Sequence, residues 1–221
     1  MLKADLHTHS HRSHDCGMNP ETIVRTCVQR GIGCIALTDH NTMSGVEDLQ
    51  KIAPFRVIPG EEIKTSRGEI IGLFLREEIV RGKGPRETAE EIKAQGGIVY
   101  VPHPFDRVRR SVIEFGALME IIDLVDVIEI RNSRITFIED QAAAERFAKE
   151  QGKLGGGGSD AHVRWELGHS YVEIPEFEGP DGFLRALSEG SVHGSLSSPA
   201  VHFASSFAKW RKRYLGPLLN R

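Results

Sequence analysis

The sequence has few cysteines, no long apolar run and little excess charge. Its three cysteines, Cys16, Cys27 and Cys34, are an odd number without metal-site spacing, which argues against a disulfide framework and for reduced thiols. The first ten residues lack the apolar core of a signal peptide, and no run is long enough to span a bilayer. The formal net charge of -3 gives no overall attraction to nucleic acid or membrane. These absences predict a cytoplasmic protein that makes no membrane contact.

The chain has the alternating pattern of an α/β protein. Short β-branched runs alternate with amphipathic stretches, as in βα units around a parallel sheet. Its 221 residues suit one domain, and no repeat or low-complexity linker divides them. We therefore predict a single domain over residues 1–221. Its basic, amphipathic stretch 205–221 is predicted to pack on the sheet as a closing helix, with contact to nucleic acid as the alternative.

Capping residues predict where two helices begin. Asn19 followed by Pro20 is typical of an N-cap with proline at the first helical position, and Gly31 would end that helix. Ser44 and Glu47 have the spacing of a capping box, which predicts a short second helix.

Histidines and carboxylates follow the predicted strands directly, each at a C-terminal strand end. In parallel α/β architectures such ends gather on one face of the sheet, so we expect residues from five strands to converge there. The residues are His7, His40, Glu62, His103, Asp160 and His162.

The local spacings fit metal binding. His7 and His9 lie two positions apart, which on a strand puts both side chains on one face, where both can reach one ion. Asp160 and His162 have the same spacing. Imidazole mixed with carboxylate suits Zn, Mn or Fe, and a carboxylate such as Glu62 or Asp160 could bridge two ions about 3.5–4 Å apart.

Each residue alone has an ordinary alternative. Asp39 and His40 could form a simple strand-end turn, Glu62 could be a solvated loop acid, and His103 could belong to a turn set by its prolines. Only the joint pattern favours a metal site. Five further histidines are expected at the surface or in the core: His11, His14, His169, His193 and His202.

Five motifs carry a family resemblance. In chain order, DLHTHS, LTDHN, PGEEI, VPHPFD and GSDAH, which span residues 5–162, resemble the polymerase and histidinol phosphatase (PHP) domain family. The resemblance implies a distorted (β/α)7 TIM-like barrel, two or three divalent ions and phosphoester hydrolysis by a metal-activated hydroxide. Carried over by motif, the implied metal ligands are His7, His9, Asp15, His40, Glu62, His103, Asp160 and His162.

The sequence departs from the family pattern at one metal position. The family's remaining ligand, often histidine or cysteine after the strand VDVIEI, is missing, with Asn132 as the nearest candidate and Glu129 as the second. Some members also carry a histidine shortly after the bridging glutamate, and Glu69 is the candidate substitute here. Occupancy of the third metal position therefore stays open.

Catalytic and substrate-binding roles can be assigned to the same residues. The catalytic candidates are His40, His103, Asp160 and His162, and the three imidazoles among them are candidate proton donors to the leaving alcohol. Asp5 and Asp39 are expected to orient ligand imidazoles. Guanidinium pairs bidentately with phosphate, and Arg107 and Arg134 are the first choices for that contact. They are taken from a larger set: Arg107, Arg109, Arg110, Arg131 and Arg134.

Three classes of function are compatible with this site. The favoured one is a phosphoesterase acting on a nucleotide, an oligonucleotide end or a small phosphomonoester, with nucleic acid as a further possible partner. A metal-dependent C–N bond hydrolase of the amidohydrolase type is the second, disfavoured because no lysine stands at the motif positions. The third is a non-catalytic metal-binding PHP domain, whose sign would be the loss of several ligands. The sequence predicts no oligomeric state.

Overall fold

The computed structural model describes residues 1–196, so the basic stretch 205–221 lies outside the described residues. Nine strands and six helices form this part of the chain. The strands are β1 Leu2–Thr8, β2 Cys34–Leu37, β3 Arg56–Thr65, β4 Gly68–Leu73, β5 Ile98–Val101, β6 Val127–Asn132, β7 Leu154–Gly158, β8 Ser170–Ile174 and β9 Ser191–Gly194. The helices are α1 Pro20–Arg30, α2 Val46–Gln50, α3 Pro85–Ala94, α4 Phe115–Glu120, α5 Ile138–Glu150 and α6 Gly179–Ser188. None of these helices is long and apolar enough to cross a bilayer.

The strands form one sheet that curls into a nearly closed barrel. Its order is β7-β6-β5-β4-β3-β2-β1-β8-β9. Strands β1, β2 and β3 pair in parallel, as do β5, β6 and β7, while β4 is antiparallel to both of its neighbours. The predicted distorted seven-stranded α/β barrel is confirmed, and the reversed β4 is its main distortion. The predicted extent of the domain over 1–221 stays a prediction.

The barrel closes between the first strand and the segment that follows β7. The Asp160 N–H donates to the His7 carbonyl at 2.7 Å, and the His9 N–H donates to the Ala161 carbonyl at 3.2 Å. At its other end, β1 pairs instead with β8, from Leu2 opposite Ile174 to Ala4 opposite Val172. The closing contact therefore forms only at the carboxyl end of β1, where the predicted ligands lie.

Glycine in β7 makes this closure possible. A Cβ added at Gly158 would lie 2.3 Å from His7 Cβ and 2.6 Å from His7 N, closer than real Cβ atoms come to other atoms. At Gly156 it would lie 2.5 Å from the Tyr100 ring inside the barrel. A side chain at Gly158 would hold β7 away from β1, so this glycine allows Asp160 to lie beside His7, while Gly156 leaves room for the Tyr100 ring.

Both predicted helices form, but only one of the two predicted caps is confirmed. The Asn19 side chain accepts from Thr22 N at 2.9 Å ahead of Pro20, and Gly31 ends α1 at φ 65°. The Ser44–Glu47 capping box does not form: α2 has no side-chain cap, and the Ser44 hydroxyl lies 3.0 Å from Thr42 Oγ1. Thr42 in turn donates to Glu78, so the chain before α2 is held by a neighbouring loop rather than by its own helix.

Apolar clusters fill the barrel and pack the helices on its outside. One cluster joins α3, α4 and α5 to the outer faces of β4–β6, a second packs α1 and α2 on β2, and a third fills the barrel and is covered by α6. A fully buried aliphatic side chain stabilises the fold by about 1.5–3 kcal/mol. These clusters leave the carboxyl end of the barrel as the polar face.

Candidate metal centre

The predicted ligands lie together at the carboxyl end of the barrel and are mostly withdrawn from solvent. His103 and Asp160 have positive φ angles of 31° and 53°, a conformation that is costly for residues other than glycine and clusters at functional sites. His40, beyond the end of β2, bridges in parallel fashion to Glu62. Glu62 was predicted to follow its strand but lies inside β3, because that strand continues to Thr65 to pair with β4. Five ligand candidates are fully buried: His7, His9, Glu62, His103 and Asp160.

Four of these side chains surround one point, which we call site A (His7, His9, Glu62 and Asp160). Glu62 Oε2 lies 3.4 Å from both His7 Nε2 and His9 Nε2. Asp160 Oδ1 lies 3.8 Å and 3.3 Å from the same two nitrogens. All four atoms are buried without a hydrogen-bond partner in residues 1–196. A buried polar atom normally has a partner, so four that converge fit the ligand shell of a cation.

The outer ring nitrogens of site A are held by hydrogen bonds. Glu129 Oε1 accepts from His7 Nδ1 at 3.1 Å, and Ser13 Oγ accepts from His9 Nδ1 at 3.1 Å while donating to Asp39. With each Nδ1 donating, each Nε2 presents its lone pair to site A. Burial, together with the nearby His162 and His40, also lowers the pKa of His9 well below its ordinary value, so its ring is neutral at pH 7.

The predicted orienting roles of Asp5 and Asp39 take a different form. Asp39 acts through Ser13 rather than on an imidazole. Asp5 accepts from Ser159 N at 2.8 Å and from Gly168 N at 2.8 Å, so it fixes the backbone ahead of Asp160. Glu129 supplies the direct contact to His7, a role that sequence reasoning did not give it.

A second group, site B, consists of Asp15, His40 and His162. Asp15 Oδ1 lies 3.2 Å from His162 Nε2, and Asp15 Oδ2 lies 3.6 Å from His40 Nε2. Burial opposes ionisation of Asp15, but the neighbouring imidazoles of His162 and His40 outweigh burial and hold the pKa of Asp15 well below its usual range. Site B thus combines a carboxylate with two imidazoles, a donor set that also suits a divalent transition metal.

A third group, site C, consists of Glu62, Glu69 and His103. His103 Nε2 lies 3.2 Å from Glu62 Oε1, and Glu69 has a ligand atom within 4.8 Å of one on Glu62. Glu69 Oε2 is buried without a hydrogen-bond partner in the described part of the chain. Glu62 thereby takes part in both site A and site C.

The candidates from β6 stand behind this cluster rather than in it. The Asn132 Nδ2 group donates to Glu129 Oε2 at 2.9 Å, and its Oδ1 accepts from Arg134 N at 2.9 Å. The Glu129 carboxylate also accepts from Tyr100 OH at 3.0 Å and from His103 N at 2.8 Å. Since both oxygens of Glu129 are occupied, neither residue offers an atom to site C.

Of the two favoured arginines, the structure brings only Arg134 to the cluster, where Nη1 lies 2.6 Å from His162 Nδ1. Arg107 is exposed, and its guanidinium donates to Asp140 at 2.8 Å and 2.5 Å. Its place is taken by Arg109, whose Nη2 donates to Asp160 Oδ2 at 2.6 Å. Sequence reasoning had no periodic signal in this turn that could choose between the two.

A cavity of about 630 Å³ opens beside sites B and C. Its lining includes Asp15, His40, Glu69 and the cationic side chains of Lys64, Arg81, Arg109 and Arg134. Lys64 and Arg81 were not singled out from the sequence, because exposed basic residues of this kind are common on any surface. The volume is within the range of small-molecule sites.

Comparisons with known proteins agree with this geometry. A family model described as the PHP domain matches residues 5–94, and a second, described as PHP-associated, matches residues 139–192. An uncharacterized protein of Methanocaldococcus jannaschii is 38% identical over 186 residues, which cover 81% of this chain and 74% of the relative.

Solved structures share the fold at low sequence identity. A two-domain protein of Bacteroides vulgatus, described as containing a predicted PHP-like metal-dependent phosphoesterase, gives a TM-score of 0.72 at 19% identity. The match covers 88% of this chain and 65% of that protein. Endonuclease Q, in complex with a 27-mer duplex containing an abasic lesion, gives a TM-score of 0.66 at 15% identity, covering 87% of this chain and 58% of that enzyme. With the motifs in order and the barrel formed, the chain belongs to the PHP domain family.

Proposed function

We propose that the protein is a metal-dependent phosphoesterase that hydrolyses a phosphate ester at the carboxyl end of its barrel. The observation that carries the proposal is site A, where four buried and unpartnered ligand atoms converge, while residues of sites B and C line a cavity together with basic side chains. A purely structural cluster would satisfy these atoms with hydrogen bonds inside the protein. Similarity to a predicted PHP-like metal-dependent phosphoesterase and to endonuclease Q supports the same reaction class.

The residues present fit divalent cations at sites A and B. His7, His9, Glu62 and Asp160 would hold one ion, and Asp15, His40 and His162 would hold another, each through mixed nitrogen and oxygen ligands suited to Zn, Mn or Fe. Such ions lower the pKa of coordinated water and neutralise phosphoryl charge. Although burial opposes ionisation, the Arg109 guanidinium holds the pKa of Asp160 well below its usual range, so this carboxylate is charged and ready to ligate.

The cavity beside the ions is suited to an anionic substrate. Lys64 and Arg81 stand at its exposed edge, while Arg134 is buried at its inner end. We assign phosphate contacts to this group, since guanidinium and ammonium groups neutralise phosphoryl oxygens. The cavity volume suits a nucleotide or the end of an oligonucleotide as well as a small phosphomonoester. Endonuclease Q acting on DNA favours the nucleic-acid end of that range.

The proposal is tested with purified protein, manganese and a panel of phosphoesters. The panel contains an aryl phosphate, a bis-aryl phosphate, nucleotides and short oligonucleotides, with an aryl amide to detect C–N hydrolysis. We expect turnover of at least one phosphoester, its loss after chelation, and its recovery when manganese is restored. His7→Ala and Asp160→Ala should lose that turnover, because each removes a ligand from site A.

The matched control is His193→Ala in β9, where the ring stacks on Tyr171 far from the ligands. This variant should keep wild-type turnover. Cleavage of the amide alone would replace the proposal with the C–N hydrolase reading, and full activity in His7→Ala would remove site A from the reaction.

A further inference from the structure

At site C, where β6 supplies no ligand, the positive charge comes from a side chain of the protein, Arg109. Arg109 Nη1 lies 3.1 Å from His103 Nε2, and Nη2 lies 2.6 Å from Asp160 Oδ2. Its Nε lies 3.6 Å from Asp106 Oδ2. The side chain is only 20% exposed, so the guanidinium lies inside the cluster rather than above it.

The hydrogen-bond roles at His103 follow from the chemistry of arginine. A guanidinium has five donors and no acceptor, so Arg109 can only donate to His103 Nε2, whereas Glu62 Oε1, 3.2 Å from the same nitrogen, can only accept from it. Whether this nitrogen accepts from Arg109 or donates to Glu62, it presents no free lone pair to a metal ion. Asn132 faces the same region with its Nδ2 donor group, 3.4 Å from Asp160 Oδ2, and cannot ligate an ion there either.

The charges around Arg109 call for a cation at this place. Four carboxylates act on it electrostatically, and a cluster of buried carboxylates is stable only when positive charge compensates it. The carboxylates are Asp160, Glu62, Asp106 and Glu69. Glu62 and Asp160 also belong to site A, so Arg109 sets the net charge that an ion at site A experiences.

The turn that follows β5 directs Arg109 inward. Asp106 Oδ1 accepts from Val108 N at 3.0 Å and from Arg109 N at 3.3 Å, which fixes the backbone ahead of the guanidinium. Arg107, two positions earlier, is held on the opposite side of the turn by Asp140. The position of Arg109 is therefore built by local hydrogen bonds as well as by the charges it meets.

We propose that the Arg109 guanidinium takes the place of a third metal ion at site C, so that the protein binds two divalent ions instead of three. The inference rests on the proposed metal sites and deepens them. Arg109 also lines the cavity, so its charge faces the space assigned to the phosphoryl group and takes over the electrostatic part of the missing ion's role. His103 becomes a positioning residue for Arg109.

The test counts manganese ions by equilibrium dialysis followed by elemental analysis, and needs no substrate. Wild-type protein should hold two ions per chain at saturation. Arg109→Met should hold three, because it frees His103 Nε2 together with oxygens of Glu62, Glu69 and Asp160. Arg86→Met is the matched control. Arg86 lies on α3, away from the ligands, and is paired with Asp123, so its loss should leave the count at two ions.

Three ions in the wild type, or two in Arg109→Met, would overturn the proposal. If Arg109→Met does not fold, crystals of the wild type with manganese still decide the question. Anomalous difference peaks at sites A and B alone support the proposal, and a further peak between Glu69 and His103 refutes it. A protein that holds two ions but cleaves no phosphoester would defeat the proposed function and leave this inference standing.

Discussion

At the scale of single residues, some side chains of the cluster offer ligand atoms for an ion, and others fix the orientation of those ligand side chains. Glu129 illustrates the second kind: it is fully buried and uses its oxygens on His7, Tyr100, His103 and Asn132. Hydrogen bonds to the outer nitrogen of a ligating imidazole fix its tautomer and direction. Glu129, a candidate metal ligand from the sequence, therefore fixes the orientation of the His7 ring through its hydrogen bond.

One exposed imidazole at the cavity is suited to proton transfer. His14 lines the cavity, and its Nε2 lies 3.8 Å from Asp15 Oδ2 of site B. We expect His14→Gln to lower kcat by roughly 10²-fold on substrates with basic leaving groups, the usual size of a lost general acid. Phosphoesters with acidic leaving groups need no proton and should be cleaved at nearly the wild-type rate. Turnover plotted against leaving-group pKa checks this; a uniform loss would assign His14 to binding.

At the scale of secondary structure, β7 depends on its lack of side chains. Gly158→Ala would place a Cβ within 2.6 Å of the His7 main chain, where the neighbour cannot rotate away. We expect a loss of about 1–3 kcal/mol in the free energy of unfolding, typical of overpacking. Urea denaturation measures it. Gly84→Ala is the control: φ there is -65° and no atom lies within 4 Å of the added Cβ, so its stability should match wild type.

Element by element, the sequence predicts those features that repeat along the chain. Period-two spacing and strand ends identify His7, His9 and Asp160, because parallel strands bring their carboxyl ends to one face. Features that depend on a single contact between distant parts of the chain cannot be predicted from the sequence. The Ser44–Glu47 capping box gives way to a loop contact through Glu78, and the choice of Arg109 over Arg107 depends on which of Asp106 and Asp140 each residue meets after folding.

At the scale of the whole molecule, metal binding is expected to stabilise the fold. Site A takes His7 and His9 from one side of the barrel closure, Asp160 from the other side and Glu62 from β3, so an ion there is bound only when these parts are assembled. An ion present at 100 times its Kd adds about 2.7 kcal/mol per site to the free energy of unfolding. We expect manganese to raise Tm by several degrees and a chelator to reverse the gain. Differential scanning calorimetry of wild type and Asp160→Ala, which should respond less, checks this.

The thiols give a second readout of the whole fold. Burial raises the pKa of Cys27 and of Cys34 to about 12, and Cys16 is fully buried as well. Since the thiolate is the reactive form, we expect none of the three to react with a disulfide reagent in the folded protein at pH 8. All three should react once guanidinium chloride unfolds it. A fast phase without denaturant would show that one of these helices or strands opens locally.

The closing contact between β1 and the segment after β7 gives the barrel a seam, and the ligands sit on either side of it. His7 and His9 belong to one side, and Asp160 and His162 to the other, joined by the hydrogen bonds from Asp160 N and His9 N. An ion at site A would be bound by residues on both sides of that seam. The amide protons of Asp160 and His9 should therefore exchange with deuterated solvent slowly in the metal-loaded protein and faster after chelation, which makes hydrogen exchange at two backbone positions a gauge of barrel closure.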